Sequence, residues 1–293
     1  MWHIFCVTLP VRSVVCALLL IVAQLLQAEP VTTTICELPL QFREGLLWVE
    51  VIVPQSQHPL HFLVDSGASA SVVNLATARR LRLELGPKVS VTGVATTLTG
   101  HYPVKLSAKA SQLELPGEYL ALDLSKLSGA CSRSVDGLIG ADFFRDRVVE
   151  IDYAAQRLRV LSAVPSDAGA NFVPLEIRPC GFRVAVSVNS GKSQWVRVDT
   201  GCATSFQWVT SKERAKRCTT KLAVGLVELS IPQTMTGIRI GNHYLDTVPT
   251  GLHRKAIFPG ESGLLGNGLL AQFGIVTIDA KSGRLILRPT LAQ

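Results

Sequence analysis

Charge and aromatic rings are scarce in this chain of 293 residues: 17% of it is Asp, Glu, Lys or Arg and 6% is Phe, Trp or Tyr, against 47% hydrophobic residues. With ordinary counts of Gly (23) and Pro (15), that balance excludes a disordered, collagen-like or coiled-coil chain. A globular protein with a large core is expected, as one large or two small domains. No dense basic run interleaved with aromatics occurs, which speaks against a nucleic-acid partner. The clusters Arg79/Arg80/Arg82 and Lys212/Arg214/Lys216/Arg217 fall on expected helices and read as solvated faces. No Cys-x-x-Cys spacing occurs, and the six histidines (His3, His58, His61, His101, His243, His253) make no ligand pattern, so no metal or other cofactor is expected. A Gly-x-Ser-x-Gly elbow and a cysteine-protease signature are also missing. Ser190-Gly191-Lys192-Ser193 ends like a phosphate-binding loop, but Val186 stands where its first glycine belongs.

The first 28 residues resemble a secretory signal. Arg12 is their one Lys, Arg, Asp or Glu, residues 14–26 are an apolar run, and Leu26-Gln27-Ala28 ends in a small residue suited to cleavage before Glu29. The run falls short of the roughly 20 apolar residues that span a bilayer, and no comparable run follows it. Export to a periplasm or the medium is expected, with an uncleaved membrane anchor as the alternative. Removal of residues 1–28 leaves 28 Lys and Arg against 22 acids. It also leaves five cysteines, Cys36, Cys131, Cys180, Cys202 and Cys218, of which at least one is free or paired with another chain. An exported location permits one or two disulfides.

What the chain does have is an internal repeat. Val64-Asp65-Ser66-Gly67 aligns with Val198-Asp199-Thr200-Gly201 without a gap, and Ser71 with Ser205. Further on, Gly137-Leu138-Ile139-Gly140 matches Gly263-Leu264-Leu265-Gly266. Each is followed by a short helix-like stretch, then by Val-Glu-Ile-Asp at 149–152 or Val-Thr-Ile-Asp at 276–279. Both copies close on an apolar strand, residues 157–160 and 284–287. Asp65 lies 75 residues before Gly140 and Asp199 lies 67 before Gly266. The next interval, to Asp152 or Asp279, is 12 or 13 residues. A lone Asp-Ser/Thr-Gly would occur by chance in roughly one such chain in ten; two copies followed by the same landmarks in order would not.

Both halves fit one plan. Apolar, β-branched runs at 46–53 and 60–64 make a hairpin that delivers Asp65, and those at 182–188 and 194–198 deliver Asp199. A short helix follows each loop: residues 74–83 with Asn74 as N-cap, and residues 210–217. Strands broken at glycines fill 89–124 and 222–252. Residues 162–171 have linker composition, which puts the boundary near residue 165 and predicts segments 1–28, 29–165 and 166–293.

Glycine after Asp-Ser/Thr lets the backbone turn sharply at a strand end and present the carboxylate. If the halves pack about a pseudo-twofold axis, Asp65 and Asp199 meet. Two carboxylates about 3 Å apart cannot both ionise and share one proton. Such a pair binds one water and supplies both the general base and the general acid that amide hydrolysis needs. Ser66 and Thr200, one step along each loop, can cross-link the loops by hydrogen bonds.

These loops, each followed by two small or apolar residues, resemble those of the aspartic protease superfamily, especially its bacterial retropepsin-like branch; the resemblance spans residues 40–290. It implies an all-β, two-lobed acid-protease fold with a few short helices, and the Leu138-Ile139-Gly140 and Leu264-Leu265-Gly266 segments threaded behind the loops. It implies Asp65 and Asp199 as the catalytic dyad, Ser66 and Thr200 as supporting hydroxyls, and Gly67 and Gly201 as acceptors for the substrate backbone. An extended peptide is the expected partner. Both aspartates lie on one chain, so the site is expected to be complete in a monomer. Family members cover the cleft with β-hairpin flaps, here at 91–101 and 224–230. Tyr102 is read as a packing residue. Cys202, where a small residue is expected, is a partly buried thiol or a partner of Cys218. Asp152 and Asp279 are read as strand-end residues. The alternative function is a peptide-binding or structural protein that keeps the scaffold without turnover.

Overall fold

In the computed structural model, the described residues are 32–93, 96–131, 133–165, 172–210, 217–224 and 227–288. The signal-like segment and most of the expected linker lie outside them. Strands dominate, and their burial follows their sequence. Leu46–Val51 (Leu-Leu-Trp-Val-Glu-Val) buries every side chain except Glu50, because both of its faces are covered. The expected hairpins form as Leu46–Val51 with Leu60–Val64 and Gly181–Val188 with Gln194–Asp199.

The two halves arrange their strands in the same order. In the first, an eight-stranded sheet runs Gln41–Arg43, Leu46–Val51, Leu60–Val64, Gly137–Ile139, Val72–Asn74, Glu118–Leu122, Thr96–Lys105, Lys88–Gly93. The second repeats this as Phe172–Arg178, Gly181–Val188, Gln194–Asp199, Gly263–Gly266, Phe206–Val209, His243–His253, Val227–Ile240, Arg217–Val224. In each, the strand bearing the repeated glycines inserts between the strand that enters the Asp loop and the strand that leaves it. It runs parallel to the first and antiparallel to the second. A Cβ on Gly140 would lie 2.4 Å from the Ala70 carbonyl carbon, and one on Gly266 would lie 2.2 Å from the Thr204 carbonyl oxygen. Those glycines are therefore required by the close passage of one backbone behind another.

The halves meet along a six-stranded seam. Hairpins Val148–Asp152/Arg157–Leu161 and Ile275–Asp279/Arg284–Arg288 join edge to edge, with Thr34–Pro39 flanking one and Phe172–Arg178 the other. Val149 faces Ile278, Glu150 faces Thr277 and Ile151 faces Val276 across the join. The repeated Val-x-Ile-Asp thus pairs with its own copy, as a pseudo-twofold axis between Glu150 and Thr277 demands. Asp152 and Asp279 cap the two hairpin turns: Asp152 accepts from the Ala155 N–H, and Asp279 from those of Lys281 and Ser282. One apolar core runs through both halves, and Phe144 packs edge-on against Phe182 across them.

Helices are short. Leu75–Arg80 follows the first loop, with the Asn74 side chain accepting from the Ala76 N–H as expected of its N-cap. Ala141–Phe144 and Asn267–Leu270 follow the glycine strands. Of the helix expected at 210–217, residues 211–216 lie outside the described residues, and Arg217 opens a strand instead. Among the described residues no helix is long and apolar enough to cross a membrane.

Candidate active site

Each aspartate sits where its strand ends. The Asp65 N–H donates to the Ile139 carbonyl, the last ladder bond before the loop turns away. In the second half Asp199 pairs with Gly266 at the corresponding point. The loops then meet face to face. A Cβ on Gly67 would lie 2.4 Å from Cγ of Asp199, and one on Gly201 would lie 2.4 Å from Cγ of Asp65. Each carboxyl group therefore occupies space that the glycine of the opposite loop leaves open.

Ser66 and Thr200 lock this arrangement with four reciprocal bonds. Thr200 Oγ1 donates to the Val64 carbonyl at 2.8 Å and accepts the Ser66 N–H at 2.9 Å. Ser66 Oγ donates to the Val198 carbonyl at 2.8 Å and accepts the Thr200 N–H at 3.1 Å. Both hydroxyls are fully buried, so none of these bonds competes with water. The expected cross-link between the loops is present, and it uses backbone groups of both halves.

The two carboxyl groups are not equivalent. Asp65 Oδ1 accepts the Gly67 and Ala68 N–H groups at 3.0 and 3.1 Å, whereas Asp199 Oδ1 accepts that of Gly201 at 2.9 Å. Burial raises the pKa of both. For Asp199, the charge of Asp65 adds to burial and holds it well above the usual carboxylate value. For Asp65, the hydrogen bonds from Ala68, Asp199 and Gly67 oppose the effect of burial. The additional N–H donor favours the ionised form of Asp65 over that of Asp199.

Three residues that the sequence reading did not single out complete the site. Arg197, 3% exposed, donates to both carboxylate oxygens of Glu261 at 2.7 and 2.9 Å and lies 3.7 Å from the centroid of Phe258. Its remaining nitrogen donates to the Gly67 carbonyl at 2.7 Å and to the Cys180 carbonyl at 3.0 Å. The Gly67 oxygen, expected to serve substrate, is thus already an acceptor within the protein, with one lone pair left. Asn267, fully buried, donates to the Thr200 and Gly45 carbonyls at 2.6 and 2.9 Å and accepts the Tyr153 hydroxyl at 2.8 Å. The signal for both was a polar residue where the repeat has an apolar one: Leu63 matches Arg197, and Ala141 matches Asn267.

Cys202 is buried against Ile231, Ile257 and Leu264 as a free thiol, not a disulfide partner of Cys218. Burial, reinforced by the charge of Asp199, pushes its pKa up to about 12. Tyr102 does not pack inside as expected. It is 40% exposed on Thr96–Lys105, the strand between Glu118–Leu122 and Lys88–Gly93, and its hydroxyl donates to Glu118. The flap segments fall on the hairpins Lys88–Gly93/Thr96–Lys105 and Arg217–Val224/Val227–Ile240. The tips of both, 94–95 and 225–226, lie outside the described residues. Among the described residues no three His, Cys, Asp or Glu side chains converge to hold a metal ion.

Comparison with known proteins agrees with this geometry. Residues 53–146 match the family model described as gag-polyprotein putative aspartyl protease. No curated protein matches the sequence. Among solved structures, the aspartic proteinase from Irpex lacteus superposes with a TM-score of 0.57 at 14% identity, covering 87% of this chain and 97% of that one. The family model reaches only the first half, which is similar to retropepsin-like aspartyl proteases, and the solved proteinase matches most of the chain in its all-β acid-protease fold.

Proposed function

We propose that the protein is an exported aspartic endopeptidase that hydrolyses extended peptides in the cleft between lobes 29–165 and 166–293. The observation that carries this reading is the reciprocal packing of Asp65 and Asp199 on opposite glycines, where burial raises the pKa of both carboxyl groups. Asp65, better supplied with N–H donors, is the base that takes a proton from the attacking water. Asp199 is the acid that gives its proton to the peptide carbonyl oxygen. The water oxygen bonds to the carbonyl carbon, and both hydroxyls of the resulting gem-diol remain against the dyad. Collapse breaks the C–N bond: Asp65 delivers its proton to the leaving nitrogen, and Asp199 recovers one from a gem-diol hydroxyl. The dyad returns to its starting state with no covalent intermediate.

An extended substrate bonds its backbone to the Gly201 carbonyl, to the free lone pair of Gly67 and to the hairpin edges, while side-chain pockets select sequence. Both carboxylates come from one chain, which supports a working monomer. Export rests on residues 1–28, and cell fractionation with N-terminal sequencing of the mature protein tests it. Activity is tested with the mature protein and a peptide library across acid to neutral pH, with and without a statine-type analogue. Cleavage that falls roughly 10²–10⁴-fold in Asp65→Asn and Asp199→Asn supports the reading. Binding of the analogue without cleavage would favour a silent peptide-binding scaffold, and full activity in either variant would overturn the dyad.

A further inference from the structure

The strand entering the second Asp loop carries a buried cation that its counterpart lacks: Arg197 stands where the first half has Leu63. Burying a guanidinium is costly unless it is fully bonded, and this one is. Glu261 binds it through two parallel bonds, the Phe258 ring covers it, and its remaining nitrogen reaches the Gly67 and Cys180 carbonyls. The planar fork of arginine fits such a site and a lysine does not. We propose that Arg197 is a positioning residue for the dyad: locked by Glu261 and Phe258, it holds the Gly67 carbonyl and so fixes the first Asp loop against the second half of the molecule. The inference rests on the peptidase reading for its effect on turnover.

The charged and titratable groups around this guanidinium are Glu261, Asp199, Asp65 and the Cys180 thiol. Arg183, its antiparallel neighbour, is neutralised by Glu176, and the Cys202 thiol faces Asp199. The positive charge of Arg197 lowers the pKa of both aspartates against the rise from burial. Loss of Arg197 leaves Glu261 uncompensated and raises them, whereas loss of the Glu261 charge leaves the cation uncompensated and lowers them. An ion pair that acted only through its charge would shift the limbs in these directions and leave kcat of Arg197→Lys unchanged, whereas a positioning residue lowers it.

The experiment compares the pH dependence of kcat/KM for wild type, Arg197→Leu, Arg197→Lys and Glu261→Gln. Arg197→Leu should move both limbs up by about one pH unit, and Glu261→Gln should move both down. Arg197→Lys should keep the limbs near their wild-type positions while kcat falls about tenfold, because charge survives and the hold on Gly67 does not. A folded Arg197→Leu protein with unchanged limbs and unchanged kcat would overturn the proposal. So would limbs that move the same way in Arg197→Leu and Glu261→Gln. If Arg197→Leu does not fold, Glu261→Gln and Arg197→Lys still decide. Carboxyl 13C titration of Asp65 and Asp199 in the same proteins reads the opposite shifts without turnover. A wild type that cleaves nothing would therefore sink the peptidase reading alone, and an unmoved carboxyl titration would sink this one.

Discussion

The two Asp loops share their chemistry at the dyad and differ in how they are held behind it. Asp, a hydroxyl residue and Gly occupy matching places, and Ser66 and Thr200 make the same two bonds to opposite halves. One step away the match ends. The Gly67 carbonyl is held by Arg197 and the Thr200 carbonyl by Asn267, so each loop is tied by a polar side chain of the second half. In the first half, Asp142 instead binds the Ser71 N–H and hydroxyl; its counterpart Gly268 brings backbone so close that a Cβ there would lie 2.8 Å from Ser205. Symmetry sets two carboxyl groups face to face, each against the opposite glycine. Asymmetry gives them different hydrogen-bond donors and different neighbours.

The largest effects should come from the symmetric parts. Gly67→Ala and Gly201→Ala each put a methyl group 2.4 Å from the opposite carboxyl carbon, so each should depress kcat roughly 10²–10⁴-fold by forcing the dyad apart. Steady-state kinetics on purified protein checks this, and a tolerant variant at either glycine would break the equivalence of the loops. Next come the hydroxyls. Thr200→Ala leaves the Val64 carbonyl and the Ser66 N–H unpartnered in a dry site, which should cost about 2–4 kcal/mol and lower Tm by on the order of 10 °C. Ser66→Ala should cost the same within about 1 kcal/mol, because it strands an equal pair of groups. Thermal unfolding of the two variants side by side tests that equality.

Stability against pH should report the burial of both aspartates. Both folded pKa values lie above the ordinary 3.8, so each group favours the folded state fully below pH 3.8. That contribution is lost as pH rises through the raised value. Wild type should therefore lose stability from pH 4 upward relative to each Asn variant, in which one of the two carboxyl groups can no longer ionise. Tm profiles from pH 3 to 8 measure it; a variant whose profile runs parallel to wild type would mean that burial does not raise the replaced carboxyl group.

The repeat made the fold and the dyad legible because its landmarks are places where backbone passes against backbone. Gly140 and Gly266 leave no room for a side chain, and Val-x-Ile-Asp pairs with its own copy at the seam, so both had to recur. Arg197, Asn267 and Glu261 were not legible, because their partners are remote in the chain, 64 residues between Arg197 and Glu261 and 130 between Arg197 and Gly67, and no spacing records such a contact. Aligning the halves shows them only as mismatches, Leu63 with Arg197 and Ala141 with Asn267. Tyr102 was misread for a related reason: the same residue is buried or wet according to which sheet face it takes, and that face depends on the register with Glu118–Leu122.

The smallest expected effect tests whether a mismatch can be erased. Cys202 stands where the first half has Ala68, and its thiol touches apolar side chains and Thr204 without tying the halves together. Cys202→Ala removes one buried atom and should cost about 1 kcal/mol or less, with kcat within about twofold of wild type. Because burial holds the thiol near 12, the native protein at pH 7 should leave Cys202 unlabelled by a maleimide while exposed Cys180 reacts. Mass spectrometry of labelled peptides distinguishes the two. Rapid labelling of Cys202 in folded protein would mean that the second loop opens readily, and the two loops would then differ in mobility as well as in charge.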